Sequence, residues 1–394
     1  MRFFPPRPIT FLQAHGYGPG GTILSSLRVA EGRVAGLNCA PEPKDTVIKL
    51  GDALVLPGLI NAHDHLELNN FPRMKWRDQY ANARDWIADF QPHFETDPTL
   101  SAAMSIPLKD RLLLGAVKNL LSGVTTVCHH NPLYRQLRRG FPVRVVRRYR
   151  FSHSLLIDGE AVKRECRRTP EDWPWIIHAS EGTDVAAAGE FSQLDRWDCV
   201  GPNTLIVHGV GLGKREQATL IHRGGALIWC PSSNDFLLGA TADVSAFTDA
   251  RRVALGTDSR LSGERDLLTE MNYAATHHYV SAADLLRMVT VDAATLLKLS
   301  DAGALRLGVP ADLIVIPLTS SVPLDTILAS DRSKIRLIML GGRAQVGDVD
   351  MSPVFAATRV PWVEARIDGQ AKLMARALAN RMKDCAAHEP GLEL

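Results

Sequence analysis

The pair His63 and His65, with Asp64 between them, is the part of this chain best suited to chemistry. It ends the apolar run from Leu54 to Ala62, which reads as a strand. On an extended segment, side chains two apart point to the same side. The two imidazoles can therefore converge on one divalent ion through neutral ring nitrogens. The same pattern, a short apolar run followed by a polar group, recurs along the chain. Trp175-Ile176-Ile177 leads into His178, with Glu181 three residues on, and Leu205-Ile206-Val207 leads into His208. Ala226 to Cys230 leads into Pro231-Ser232-Ser233-Asn234, and Val253 to Thr257 leads into Asp258.

Short apolar runs bounded by turn-forming residues are strands buried on both faces, as in a parallel sheet. The stretches between them, such as 214–222 and 240–250, are long enough for a helix or an irregular crossover. This alternation predicts an α/β fold, a TIM-like (β/α)8 barrel with its polar groups gathered at the C-terminal ends of the strands. One count is short. Between His65 and His178 a full barrel needs three strands, and two runs are visible, Val124 to His129 and Val143 to Phe151, so one unit is expected to be short or distorted. Outside the barrel, Leu24 to Val29, Arg33 to Leu37 and Thr46 to Leu50 read as strands separated by Gly-rich turns. Asp312 to Pro317 and Ile335 to Leu340 add more near the other end. Neither set closes a sheet alone, so the two are expected to pair with each other. The expected division is a small β domain from residues 1–55 plus 305–350, a barrel over 56–304, and a helical extension over 351–394. The last rests on the spacing of Met374, Leu378 and Met382.

Taken together these motifs resemble the amidohydrolase superfamily, and within it the mononuclear deaminases and chlorohydrolases that act on nitrogen heterocycles. The matching pieces are Pro57-Gly58-Leu59-Ile60-Asn61-Ala62-His63-Asp64-His65-Leu66, His178-Ala179-Ser180-Glu181-Gly182, Val207-His208-Gly209, Cys230-Pro231-Ser232-Ser233-Asn234 and Gly256-Thr257-Asp258-Ser259, in family order. Gly308 to Ile316 is similar to the family's closing strand. The resemblance implies a β-sandwich built from both termini, and it puts His63, His65, His178 and Asp258 on the metal-ligand positions. Three imidazoles and a carboxylate suit Zn or Fe(II), whereas calcium and magnesium prefer oxygen throughout. Dinuclear members use a carboxylated lysine from a middle strand, and Val143 to Leu156 contains no lysine. One divalent metal per chain is therefore expected.

By the same resemblance, Glu181 is the general acid, and His208 with Asp258 handles the proton of a metal-activated water. An acid that donates near neutral pH needs burial or a neighbouring anion to raise its pKa. The reaction implied is deamination of a small aminated heterocycle. The same site would also serve a cyclic amide, an N-acyl group or a halogenated ring carbon, and a non-enzymatic scaffold is the remote alternative. Candidate substrate contacts are His130 in the His129-His130-Asn131 cluster, Asn234, and Trp76, which with Trp86 is a lid candidate. Between Arg111 and Ile157 there are nine lysines and arginines and no acidic residue. If Arg148 faces the pocket, the substrate carries an anionic group, because arginine recognises carboxylate and phosphate bidentately. The alternative for this cluster is an outer surface or a subunit contact.

With 394 residues and 45% hydrophobic content the chain can bury a large core. A formal charge of +2 argues against a nucleic-acid platform, and no run approaches the roughly 20 apolar residues that span a bilayer. The N-terminus lacks a signal-like apolar core. Six cysteines without a Cys-x-x-Cys pair read as reduced thiols of a cytoplasmic protein. A small-molecule substrate and a homodimer or higher homo-oligomer are expected.

Overall fold

The computed structural model describes residues 5–17, 23–278, 280–320, 322 and 324–394. Met1 to Phe4 of the expected N-terminal segment, and residues 18–22, lie outside the described residues. The opening strands are β1 (Ile9–Tyr17), β2 (Ile23–Ala30), β3 (Arg33–Leu37) and β4 (Thr46–Pro57). Shorter ones follow: β5 (Leu59–Asp64), β6 (Val124–His129), β7 (Arg144–Val145), β8 (Arg150–Ser152), β9 (Trp175–Ala179), β10 (Thr204–His208), β11 (Ala226–Trp229) and β12 (Val253–Leu255). The closing set is β13 (Leu313–Pro317), β14 (Leu337–Leu340), β15 (Arg343–Asp348), β16 (Trp362–Ile367), β17 (Gln370–Ala375) and β18 (Leu392–Glu393).

Strands from the two ends share one sheet, in the order β18-β16-β17-β15-β14-β13-β4-β1-β2-β3. Its seam is the antiparallel pair β4 and β13, with Leu54 opposite Ile316 and Leu56 opposite Ile314. The first part of β4 alternates buried and exposed, as a sheet with one wet face requires, whereas its last five residues are all buried. After Gly58 the chain passes directly into β5, which delivers His63. The small β sheet thereby anchors the strand that carries two of the candidate ligands.

The shorter strands form two parallel sheets, β5-β6-β7 and β8 through β12 in chain order. Every residue of β5, β6, β10, β11 and β12 is buried. That matches the continuous apolar runs. The outer strands β5 and β12 meet closely: the N–H groups of Thr257 and Asp258 both donate to the His63 carbonyl at 3.1 Å. A Cβ on Gly256 would lie 2.7 Å from that of His63, so only glycine permits the approach.

Two expectations need correction. The run Val143 to Phe151 is not one strand. Arg144–Val145 pairs with β6 and Arg150–Ser152 pairs with β9, and only residues 146–149 separate them. Parallel neighbours need a crossover of a dozen or more residues, so β7 and β8 are consecutive pieces of one bent run that lacks a helix between them. Burial across the bend reads buried at Val146, exposed at Arg147 and Arg148, buried at Tyr149, which breaks strand alternation.

The helical extension over 351–394 is also wrong in part. Helices cover Ser352–Thr358 and Arg376–Lys383, and between them β16 and β17 form a hairpin that joins the ten-stranded sheet. Leu378 and Met382 are helical, whereas Met374 lies in β17. Asp368 and Gly369 turn the hairpin with φ of 47° and 81°. Two consecutive positive φ values define the tight turn that Asp-Gly favours. No helix among the described residues is long and apolar enough to cross a membrane.

Candidate metal centre and active site

The ends of β5, β9, β10 and β12 bring the candidate residues together. His63 and His65 leave β5 two residues apart, and their Nε2 atoms each lie 3.8 Å from Asp258 Oδ1. His178 Nε2 lies 3.2 Å from His63 Nε2. Donors at about 2.0–2.1 Å around a tetrahedral zinc would stand about 3.3 Å apart. His63, His65 and Asp258 come within 4.8 Å of one another, as do His63, His178 and His208, so two triads of suitable donor types meet at His63. His178 Nδ1 sits 2.8 Å from the His153 carbonyl, which can only accept; the proton is on Nδ1 and the Nε2 lone pair faces the cluster.

The electrostatics point the same way. Burial and the neighbouring imidazoles push His63 and His178 well below the ordinary histidine range, which keeps their nitrogens available as ligands. Burial pushes the Asp258 carboxyl up, but His65, His208 and His178 outweigh it and hold it down at about 2. Asp258 is further fixed by Ser233 and Ser262, whose hydroxyls donate to Oδ2 at 2.9 and 3.0 Å, and by the Ser259 N–H at 2.7 Å to Oδ1. Ser233 is placed by the helix Pro231–Leu238, which starts directly after β11 with Pro231 in its first turn.

Glu181 and His208 stand beside this cluster, with His208 Nε2 3.6 Å from Glu181 Oε1. Burial, assisted by Asp258 and Glu190 and opposed by His208, raises the Glu181 carboxyl to about 7. His208 Nδ1 meets Asn234 Oδ1 at 2.7 Å, so Nε2 presents its lone pair toward Glu181. Three residues here hold positive φ without being glycine: Ser180 at 53°, His208 at 72° and Asp258 at 51°. Such strain collects at functional sites because the surrounding fold over-determines it.

The cluster opens into a cavity of about 280 Å³ lined by His65, His178, Glu181, His208 and Asp258. Trp86, Ile87, Leu156 and Ile157 give it an apolar wall, and Arg84 and Glu190 flank it. Leu156 and Ile157 are 50% and 57% exposed at the rim.

Of the four candidate substrate contacts, none lines this cavity. His130 is buried behind it, stacked on His178 with ring centroids 4.2 Å apart and Nε2 3.0 Å from the Ser152 carbonyl. Asn234 braces His208 and donates to Thr241 at 2.9 Å. Trp76 packs flat on His93, 4.4 Å between centroids, while Trp86 takes the position at the wall. Arg148 is exposed and lines a different cleft. An anionic substrate therefore loses its structural motive, because the β7–β8 bend turns Arg147 and Arg148 outward.

Sequence reasoning missed several residues. His153 follows Phe151-Ser152 by the same apolar-run pattern, yet it was masked by reading 143–151 as one strand. Glu190, on the helix Val185–Arg196, accepts from the Ser180 N–H at 2.7 Å and from Arg84 at 3.1 Å; no local motif marks it. Lys118 on the helix Leu108–Leu121 belongs to a buried network of Asn61, Asp64, Asn69, Asn119 and Thr257 directly behind the ligands.

Residues 162–344 match the model of the Amidohydrolase family. A 5-methylthioadenosine/S-adenosylhomocysteine deaminase of Nitratidesulfovibrio vulgaris is 24% identical over 355 residues, covering 75% of this chain and 80% of that protein. An adenosine deaminase from Xanthomonas campestris, solved with bound zinc, superposes with a TM-score of 0.71 at 18% identity, over 90% of this chain and 98% of that one. The atrazine chlorohydrolase TrzN from Arthrobacter aurescens TC1, complexed with zinc, gives a TM-score of 0.71 at 15% identity, over 89% and 99%. The chain is thus similar to the Amidohydrolase family over residues 162–344, and along most of its length to proteins named as deaminases and as an atrazine chlorohydrolase.

Proposed function

We propose that this enzyme deaminates a small aminated heterocycle, of the aminopurine or nucleoside kind, using one Zn or Fe ion held by His63, His65, His178 and Asp258. The observation that carries this reading is a carboxyl, Glu181, raised to about 7 and facing the same cavity as His65, His178 and Asp258. A divalent ion held by these residues would supply Lewis acidity and lower the pKa of a water. Glu181 holds a proton near neutral pH and delivers it to a ring nitrogen of the bound substrate. His208 presents Nε2 as the base that takes the proton from water, its ring set by Asn234. The exocyclic nitrogen leaves as ammonia, water having entered, and the apolar wall of Trp86, Ile87, Leu156 and Ile157 receives the flat ring and its substituents.

We also infer that the two parallel sheets are arcs of one barrel joined where β5 meets β12, with one β/α unit lost at the β7–β8 bend. Residues 56–304 would make that catalytic unit, and the termini its β companion. The expected test is ammonia release by metal-loaded protein against aminopurine nucleosides, aminopyrimidines, triazines and pterins. Chloride or a ring-opened acid appearing without ammonia would replace deamination by the halide or amide reaction. No turnover of any member by fully loaded protein would refute the reading.

A further inference from the structure

Nine cations lie from Arg111 to Ile157, and the structure gives some of them carboxylate partners and leaves others without. Lys118 pairs with Asp64, Arg144 with Asp312 and Asp301, and Arg150 with Glu165. Arg147 and Arg148 have no carboxylate partner among the described residues; Arg147 reaches only the Arg138 carbonyl. Both line a cleft of about 550 Å³ that Lys298 also lines, likewise without an acidic partner among the described residues. A second hollow of about 550 Å³ shares Gly140, Phe141 and Leu340 with the first. Its cations are Arg343, Arg376 and Arg381, and the polar contacts of the last two are with backbone carbonyls. The two hollows adjoin across their shared residues, beside β15 and the helix Arg376–Lys383, and Asp301, already held by Arg144, is the acidic residue that lines them.

We propose that this groove is a binding site for a small phosphate-bearing molecule, separate from the catalytic cavity. Like charges gathered along a concave wall raise the local potential and concentrate an anionic ligand. Guanidinium groups match phosphate oxygens bidentately, and Lys298 adds a point charge from the facing side. The floor between the cations is apolar, with Phe141 and Leu340, so a flat organic portion can lie there while the phosphates meet the rim. A second copy of the chain suits this face less well. Across a two-fold axis the same patch faces itself, which would set arginine against arginine.

The test is calorimetric titration of the full chain at low salt with inorganic tripolyphosphate and with uridine triphosphate, which offers phosphate on a base without an exocyclic amine. Both are expected to bind, and Arg148→Glu with Lys298→Glu should weaken them by roughly tenfold or more while leaving catalytic turnover unchanged. Tighter binding of the nucleotide assigns the apolar floor to a base; equal binding assigns recognition to phosphate alone. Absence of binding by either at millimolar concentration, or affinity retained in the double variant, overturns the proposal. A concentration-dependent mass that the variant abolishes, without anion binding, would overturn it too and give the groove to an acidic protein surface.

Discussion

Replacing Lys118 with methionine removes the cation from the polar network behind the ligand cluster while nearly conserving volume. Lys118 and Asp64 are both 0% exposed, with Nζ to Oδ2 at 3.1 Å. Nζ also donates to Asn69 Oδ1 at 2.9 Å and Thr257 Oγ1 at 3.0 Å, so its donors are all used. Asp64 sits between the two β5 histidines, and Thr257 immediately precedes Asp258. The ammonium thus ties the two chain segments that bring in three of the four proposed ligands. Breaking a buried pair by removing one partner costs about 3–5 kcal/mol. The low end applies, because Asn69 and Asn119 still donate to Asp64 at 2.8 and 2.7 Å. At ~2.1 cal/mol/K per residue, the 394 residues have an unfolding entropy of roughly 0.8 kcal/mol/K. A loss of about 3 kcal/mol then lowers Tm by roughly 4 °C.

Metal affinity, measured by competition with a chelator, should fall about 10–100-fold, as for other residues that orient ligands without touching the ion. The double variant Lys118→Met with Asp64→Asn removes both charges of this pair and should regain most of the Tm. Its metal affinity should stay low. An unchanged affinity in Lys118→Met, with the Tm lowered as expected, would refute the claim that this network positions the ligands. An unchanged Tm would refute the stability argument itself.

Glu181→Gln should retain metal and fold yet lose about 10²–10⁴-fold in kcat; a variant within a few-fold of wild type would remove Glu181 from proton delivery. Metal analysis of His63→Ala and Asp258→Ala should show reduced occupancy, and full occupancy in both would sink the ligand assignment. Leu156→Asp with Ile157→Asp should raise KM for a nucleoside substrate more than it changes kcat, because these side chains form the rim and not the reacting centre. Burial raises the Glu270 carboxyl to about 8 despite donation from the Ser232 N–H and hydroxyl. Its folded pKa therefore exceeds the unfolded value near 4.3, and the folded state binds the extra proton between them. That contribution is complete below about pH 4 and lost as pH rises to about 8. Glu270→Gln should flatten this part of the stability profile in denaturant titrations, and an unaltered slope would show that Glu270 is ionised in the fold.

The local signals carried much of the site. A histidine or aspartate directly after a short apolar run is legible because a parallel strand buried on both faces must be apolar, and its C-terminal end is where the chain turns polar. His63, His178, His208 and Asp258 were visible that way, with His65 two residues beyond His63 and Glu181 marked by the motif after His178. The structure gathers all but His63 around one cavity, with His63 buried behind them. The Asp368-Gly369 pair is a hairpin signal that the sequence reading passed over in favour of the helical spacing of Met374, Leu378 and Met382. Pairing of β17 with β15 decided the matter. Which way Arg148 points, and that Trp86 and not Trp76 walls the cavity, depended on the bend between β7 and β8 and on how the segment after His65 packs. Lys118, Glu190 and His153 act through partners far away in sequence. A side chain's surroundings at such range are set by chain topology, and a periodicity of 2 or 3.6 residues says nothing about them. The residue types that do the chemistry are therefore written along the chain, while their partners and the shape of the space before them exist only once the strands have met.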